Sequence, residues 1–205
     1  MTKTVDNFTL IGEFIAGQGL GLDYYYHLQV IHRGKDDGTG ANSTEIKTYM
    51  IDSEHTIERY REEITKLCQV FNARAYINLS PRSKYSTCLG MLETLTKVLR
   101  EDNYNYLQKI WNSVAGREIS SKPLYVIDID YNHGEVPNLE DIEYFLENCQ
   151  PFEVKQKIIL RVPTMNGEHL ITTGFDRLSF SNAFPNVDVH KNNPTLLYAS
   201  VTTNN

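Results

Sequence analysis

The amino-acid sequence predicts an α+β fold, a central, mostly antiparallel sheet with helices packed on one face, and three observations carry that prediction. Strand-like runs such as "YYYHLQVIHRG" and "EIKTYMI", or "KIILRV" and "HLITTGF", follow one another across turns rather than across helices, which is antiparallel connectivity. Long segments after Asp52 and after Ser80 place apolar residues at helical spacing. A chain of 205 residues that is 40% hydrophobic can bury one substantial core.

Residues 1–50 read as an N-terminal strand and hairpin segment with a long mobile tip, the Gly/Asp/Asn-rich "GKDDGTGANST". The glycine-rich "GQGLG" lacks the Lys-Ser/Thr of a phosphate loop and reads as a turn. Residues 51–201 read as the α+β domain, with the candidate site between 124 and 198. A helix opens at Asp52 or Ser53 and turns Ile57, Tyr60, Ile64 and Leu67 to one side. "ARAYINL" is a strand, and Ser80 and Pro81 stand as cap and first residue of a second long helix. "NYLQKIWNSVAG" is a third, closed by Gly116. A strand ending at Asp130, a helix from Asn138 or Leu139 to Cys149, and the strands "KIILRV", "HLITTGF", "VDVHK" and "TLLYASV" complete the sheet. Residues 202–205 read as a disordered tail, and the whole as one compact domain.

The charge balance excludes one class of partner. With 20 Lys+Arg against 26 Asp+Glu the formal charge is -6, so no overall basic field attracts nucleic acid or anionic membrane, and any nucleic-acid contact is through a local basic patch. Cys68, Cys88 and Cys149 stand far apart without CxxC or Cys/His spacing, which argues against a zinc site and a disulfide framework and suits a reducing cytoplasm. No signal-like N-terminus and no membrane-spanning apolar run is present, so a soluble, cytoplasmic protein is expected.

The residues that carry chemistry begin at "YVIDID". Asp128 and Asp130 lie two apart on an apolar strand and point to the same side. Like charges that close repel and lose hydration at the edge of a core, so the pair needs a compensating partner, and a divalent cation is the obvious one. One Asp capping a turn while the other faces water is the structural alternative. In "PTMNGEHLITTGF" the turn Asn166-Gly167-Glu168 delivers His169 onto the start of a strand, placed to meet a phosphate or a proton. In "VDVHK" Asp188 and His190 share one strand face, and Lys191 takes the other face or its rim. A half-exposed edge strand alternates in the same way. Together the three segments supply aspartates and a histidine suited to two-metal chemistry.

An apolar strand ending in DxD, a small-residue turn with Gly-x-His, and a later strand carrying Asp resemble the catalytic core of archaeo-eukaryotic primases and primase-polymerases. The likeness covers about Leu124 to Tyr198. It departs in carrying Asn166 where Ser is typical and in a short interval between His169 and Asp188. The resemblance implies Asp128, Asp130 and Asp188 as catalytic residues and ligands of Mg²⁺ or Mn²⁺, with Asn166, Gly167 and His169 against nucleotide phosphates. It also implies a nucleoside triphosphate and single-stranded nucleic acid as substrates, in phage or mobile-element replication or repair. Arg74, Arg82, Lys84, Arg161, His190 and Lys191 are the candidates to neutralise the phosphates, and Arg82 is favoured for its place at a helix N-terminus. Arg74 and Arg161 sit in strand-like runs, where an arginine needs a carboxylate partner. Two alternatives stay open: a metal-dependent nuclease or phosphoesterase using the same residues, and a non-catalytic primase-like protein that binds phage or host partners.

Overall fold

The computed structural model describes residues 2–34, 42–118, 120–131 and 138–202. Strands β1 (Thr2–Asp6), β2 (Tyr24–His32), β3 (Thr44–Ile51), β4 (Ala73–Ser83) and β9 (Thr195–Thr202) form a five-stranded sheet in the order β1-β9-β4-β2-β3. All its described pairings are antiparallel. Alternation along β2 and β4 gives each strand two unlike sides. Tyr26, Leu28 and Val30, with Ala73, Ala75 and Ile77, enter a core shared with helices α1 (Phe8–Gln18) and α2 (Glu54–Val70). The sequence places Ile11, Phe14 and Ile15 of α1 and Ile57, Ile64 and Cys68 of α2 at i, i+3, i+4 or i+7 spacing, and these are the residues buried there.

The opposite side of β2 and β4 carries His27, Gln29 and Ile31 beside Asn78, Tyr76 and Arg74. Part of it is roofed by helix α4 (Ile110–Arg117), which follows a 3-10 helix, Tyr104–Lys109. Trp111 of α4 stacks near Tyr25 and His27 and donates to Thr48 Oγ1 at 3.2 Å. Asn112 accepts from Thr48 Oγ1 at 2.9 Å. Helix α3 (Lys84–Arg100) packs on α4, and Gly90 is the contact: a Cβ there would stand 3.0 Å from Val114 Cγ1.

The second sheet contains β5 (Tyr125–Asp130), β6 (Ile158–Pro163), β7 (Gly167–Thr172) and β8 (Asp188–Lys191), in the order β6-β7-β5-β8. Ile127 and Ile129 of β5 and Leu170 of β7 turn outward into a core with helices α5 (Leu139–Asn148) and α6 (Arg177–Ala183), around Phe145, Phe175 and Phe180. Buried side chains tie the two sheets. Asn7 donates to the carbonyls of Pro163 and Leu196, both at 2.9 Å, and Ser80 Oγ accepts from the Leu124 amide at 2.9 Å. Each satisfies buried backbone that would otherwise cost about 1–3 kcal/mol.

The α+β class and the antiparallel pairing agree with the sequence, but the strands divide between two sheets rather than forming one. Residues 1–50 supply β1 to β3, which share one sheet with β4 and β9. They also contain α1, whose glycines Gly12 and Gly17 mask its periodicity. The Ser80 cap is corrected: β4 runs on to Ser83, and Ser83 Oγ accepts from the Ser86 amide at 3.2 Å. Residues 35–41 of the expected hairpin tip and 203–205 of the expected tail lie outside the described residues, and Thr202, expected in the tail, instead ends β9 opposite Thr2. Among the described residues no helix is long and apolar enough to cross a membrane.

Candidate functional site

The two sheets face one another across a cleft of about 590 Å³. From the five-stranded sheet come Ile31, Arg74, Tyr76 and Leu196, with Arg33 just past the end of β2; from the four-stranded sheet come Val126, Asp128, Asp130, His169 and His190. The register explains the second group. Asp128 pairs with His169 of β7 on one side and with Asp188 of β8 on the other. Two residues along β5, Val126 pairs with His190; two residues the other way, Asp130 pairs with Gly167. Residues directly opposite share a sheet face, so the strand pairing alone assembles Asp128, Asp130, His169, Asp188 and His190 on one surface.

Gly167 has a steric reason to be glycine. A Cβ at this position would lie 1.8 Å from the carbonyl oxygen of Ile129, so only glycine lets β7 approach the end of β5 that carries Asp130. The preceding turn is closed by the Thr164 amide on the Gly167 carbonyl at 2.8 Å and by the Gly167 amide on Thr164 Oγ1 at 3.1 Å. It holds Asn166 at the cleft wall.

Electrostatically, Asp128 is the centre. His169 Nε2 lies 3.5 Å from Asp128 Oδ1. That contact holds the Asp128 carboxyl below the usual carboxylate range; burial opposes the shift, and the charges of His169, His190 and Arg33 add to it. The other nitrogen of His169, Nδ1, is 2.8 Å from Thr195 Oγ1. Thr195 is fully buried and belongs to β9 of the other sheet, so one imidazole links the two sheets. A ring donating from Nε2 to Asp128 leaves Nδ1 to accept from the threonine hydroxyl; a protonated ring donates from both, and the same hydroxyl accepts.

The sequence-derived candidates separate cleanly. Asp128, Asp130, Asn166, His169 and His190 line the cleft. Asp188 is exposed on the edge strand β8, directly across from Asp128. Four basic candidates lie elsewhere. Arg82 is the penultimate residue of β4, directly before the N-cap Ser83 of α3, but it is only 6% exposed and lies beside Tyr25 and His27 rather than in the cleft. Lys84 forms a 3.4 Å ion pair with Asp52. Arg161 pairs with Glu143. Lys191 occupies the outer face of its sheet, over the Tyr125 ring.

Arg33, Tyr76 and Thr195 escaped the sequence reading. Arg33 and Thr195 have no motif around them; Tyr76 alternates with Arg74 in "ARAYINL", the one pattern that marks a polar strand face. Among the described residues, no group of three His, Cys, Asp or Glu side chains is arranged to hold a metal ion. The donor set nevertheless suits a hard cation: Asp128 and Asp130 are oxygen donors on one strand face, and Mg²⁺ commonly takes one or two carboxylates and fills its remaining positions with phosphate and water. Compared with protein-family models, with curated proteins and with solved structures, the chain matches none.

Proposed function

We propose that the protein is a divalent-metal-dependent nucleotidyltransferase of primase-polymerase type, which joins a nucleoside triphosphate to a nucleic-acid strand. The observation that supports this reading most is the opposition across one cleft of an acidic floor, Asp128 and Asp130, to a basic wall, Arg33 and Arg74. In such a transfer a 3′-hydroxyl gives up its proton, its oxygen bonds to the α-phosphorus, and pyrophosphate leaves. Asp128 and Asp130 are the residues that would hold Mg²⁺ or Mn²⁺, with Asp188 next to Asp128 on the neighbouring strand. The cation would supply neutralising charge and favour the deprotonated hydroxyl.

The chain's own side chains have the remaining roles. His169 donates toward a phosphate oxygen from a ring held by Thr195. Arg33 and Arg74 supply the local positive charge that an acidic protein otherwise lacks. The basic patch thus moves from Arg82 and Lys84 to the wall of the cleft.

The test is incorporation of labelled nucleotide into an oligonucleotide with Mn²⁺ or Mg²⁺. Asp128→Asn and Asp130→Asn should each lower the rate by at least about a hundredfold. Both should also remove the rise in melting temperature that Mn²⁺ gives the wild type, since a ligand of the native state alone stabilises it. Cleavage of the oligonucleotide without incorporation would replace this reading with the nuclease. No reaction and no Mn²⁺ stabilisation would leave the partner-binding protein.

A further inference from the structure

The four-stranded sheet has a second face, turned away from the cleft and covered by α5 and α6. There a cavity of about 510 Å³ opens between α5, residues 149–152 and the start of α6. Its walls are aromatic. Phe145 and Phe184 meet edge to face, centroids 5.7 Å apart and planes at 85°, and both pack on the core around Phe180, so they form a fixed corner. Tyr144, 71% exposed, and Phe152, 62% exposed, stand beside that corner. The polar groups of the lining are mostly acceptors. Asn148 gives an amide hydrogen to the Tyr144 carbonyl at 2.7 Å, which leaves its side-chain oxygen to accept. Asp141 and Asp176 add carboxylates. Asp176 caps α6 by accepting from Ser179, and those bonds hold its carboxyl below the usual range, so it is ionised at neutral pH. A neighbouring cavity of about 690 Å³ shares Gln150, Phe152 and Asp176 and adds Glu153 and Phe175, so the two make one groove across Phe152. Among the described residues no lysine or arginine lines either part. Residues 138–154 carry five carboxylates and no Lys or Arg.

We infer that this groove binds a basic segment of a partner protein, with an arginine side chain seated in the aromatic corner. Aromatic walls alone would accept any apolar group; the carboxylates around them, which no cation of the lining answers, select a positive one. A guanidinium suits the corner better than an ammonium does. It is planar and weakly hydrated, so it stacks on a ring while its fork of N–H groups reaches Asp141, Asp176 and the Asn148 oxygen. The second cavity, continuous with the first past Phe152, gives room for the backbone and neighbouring side chains that a free small cation lacks. Phosphates and anionic lipid are repelled here, and so is a second copy of the chain, whose own formal charge is -6. No cleft residue takes part, so the inference stands apart from the nucleotidyltransferase reading. The groove is small and open, and the complex is transient, with a dissociation constant on the order of 100 µM.

Fluorescence anisotropy of the full chain with a short fluorescein-labelled peptide of alternating arginine and serine, at near-physiological salt, tests this. A lysine–serine peptide of equal charge is the comparison. The arginine peptide should bind at least about fivefold more tightly than the lysine one. Phe152→Ala should weaken the arginine peptide about fivefold or more while the melting temperature stays unchanged, because Phe152 is exposed. The pair Asp141→Asn and Asp176→Asn should weaken it about tenfold; asparagine still caps α6, so the fold is kept. No binding of the arginine peptide into the millimolar range would overturn the inference. Equal affinity for the two peptides, or arginine-peptide binding indifferent to Phe152→Ala, would reveal only diffuse attraction to an acidic surface and would overturn it as well.

Discussion

The two ends of strand β4 present arginines to the same side of one sheet, and they differ in access: Arg74 is half-buried at the cleft, whereas Arg82 is 6% exposed. Arg74 opens onto the cleft opposite Asp128. Arg82, beside Tyr25, His27 and Trp111, is sealed, and among the described residues its NH1 has no hydrogen-bond partner. His27 repeats the contrast with His169. His27 is 2% exposed and its Nε2 is likewise unsatisfied among the described residues, whereas His169 has a carboxylate on one nitrogen and a hydroxyl on the other. Polar side chains under a helix and polar side chains at a cleft look alike in sequence. Access and partners, not residue type, separate a buried liability from a site.

The sealed end should dominate acid sensitivity. Burial, with the Arg82 charge added, lowers the pKa of His27 from 6.5 to about 4. The unfolded chain therefore binds a proton between those values that the native chain refuses. Stability from this group is complete above about pH 6.5 and is lost as pH falls toward 4, by up to about 3 kcal/mol. His27→Phe keeps the packing against Trp111 and has no proton to take up. Urea unfolding at pH 7, 5.5 and 4.5 should show a steep loss for wild type and a shallower one for the variant. Equal slopes would remove His27 as the cause.

Substituting the two arginines sharpens the contrast at an intermediate scale. Arg74→Met should weaken binding of nucleoside triphosphate and of single-stranded DNA about tenfold, and flatten the salt dependence for DNA by roughly 0.7 per lost phosphate contact. Arg82→Met should leave both unchanged and should keep or raise the melting temperature, since a buried charge gives way to an apolar chain of similar size. Fluorescence anisotropy and thermal melts measure the two effects. If Arg82→Met weakens binding as much as Arg74→Met, the distinction between open and sealed ends fails.

The carboxylates and His169 were legible in sequence because strand alternation is local: Asp128 and Asp130 must share a face, and a turn before His169 must start a strand. The helix from Ser53 was legible for the same kind of reason. The second wall of the cleft was not, because Arg33, Tyr76 and Thr195 come from the other sheet, and no local pattern states that two sheets face each other. The start of α3 was misplaced for a local reason. Ser-Pro-Arg reads as a helix start, but β4 carries Pro81 within its last residues and the Lys84 amide bonds instead to the carbonyl of Asp23.

The smallest predicted effect tests the bond between His169 and Thr195, which joins the two walls of the cleft. Thr195→Val conserves shape and removes only the hydroxyl that meets His169 Nδ1 at 2.8 Å. With nothing to donate to Nδ1, the neutral ring no longer prefers the tautomer that presents Nε2–H to Asp128 and to a phosphate. Nucleotide affinity should fall about threefold to tenfold, in keeping with one hydrogen bond of about 1 kcal/mol, and Thr195→Ser should retain it. The ¹⁵N shifts of the His169 ring should move toward a tautomer mixture in the valine variant and stay put in the serine one, whether or not nucleotide is present. A merely structural threonine would alter stability without moving those shifts. Unchanged ring shifts and unchanged affinity in Thr195→Val would mean that Asp128 alone orients the histidine, and that β9 contributes packing but no chemistry through Thr195.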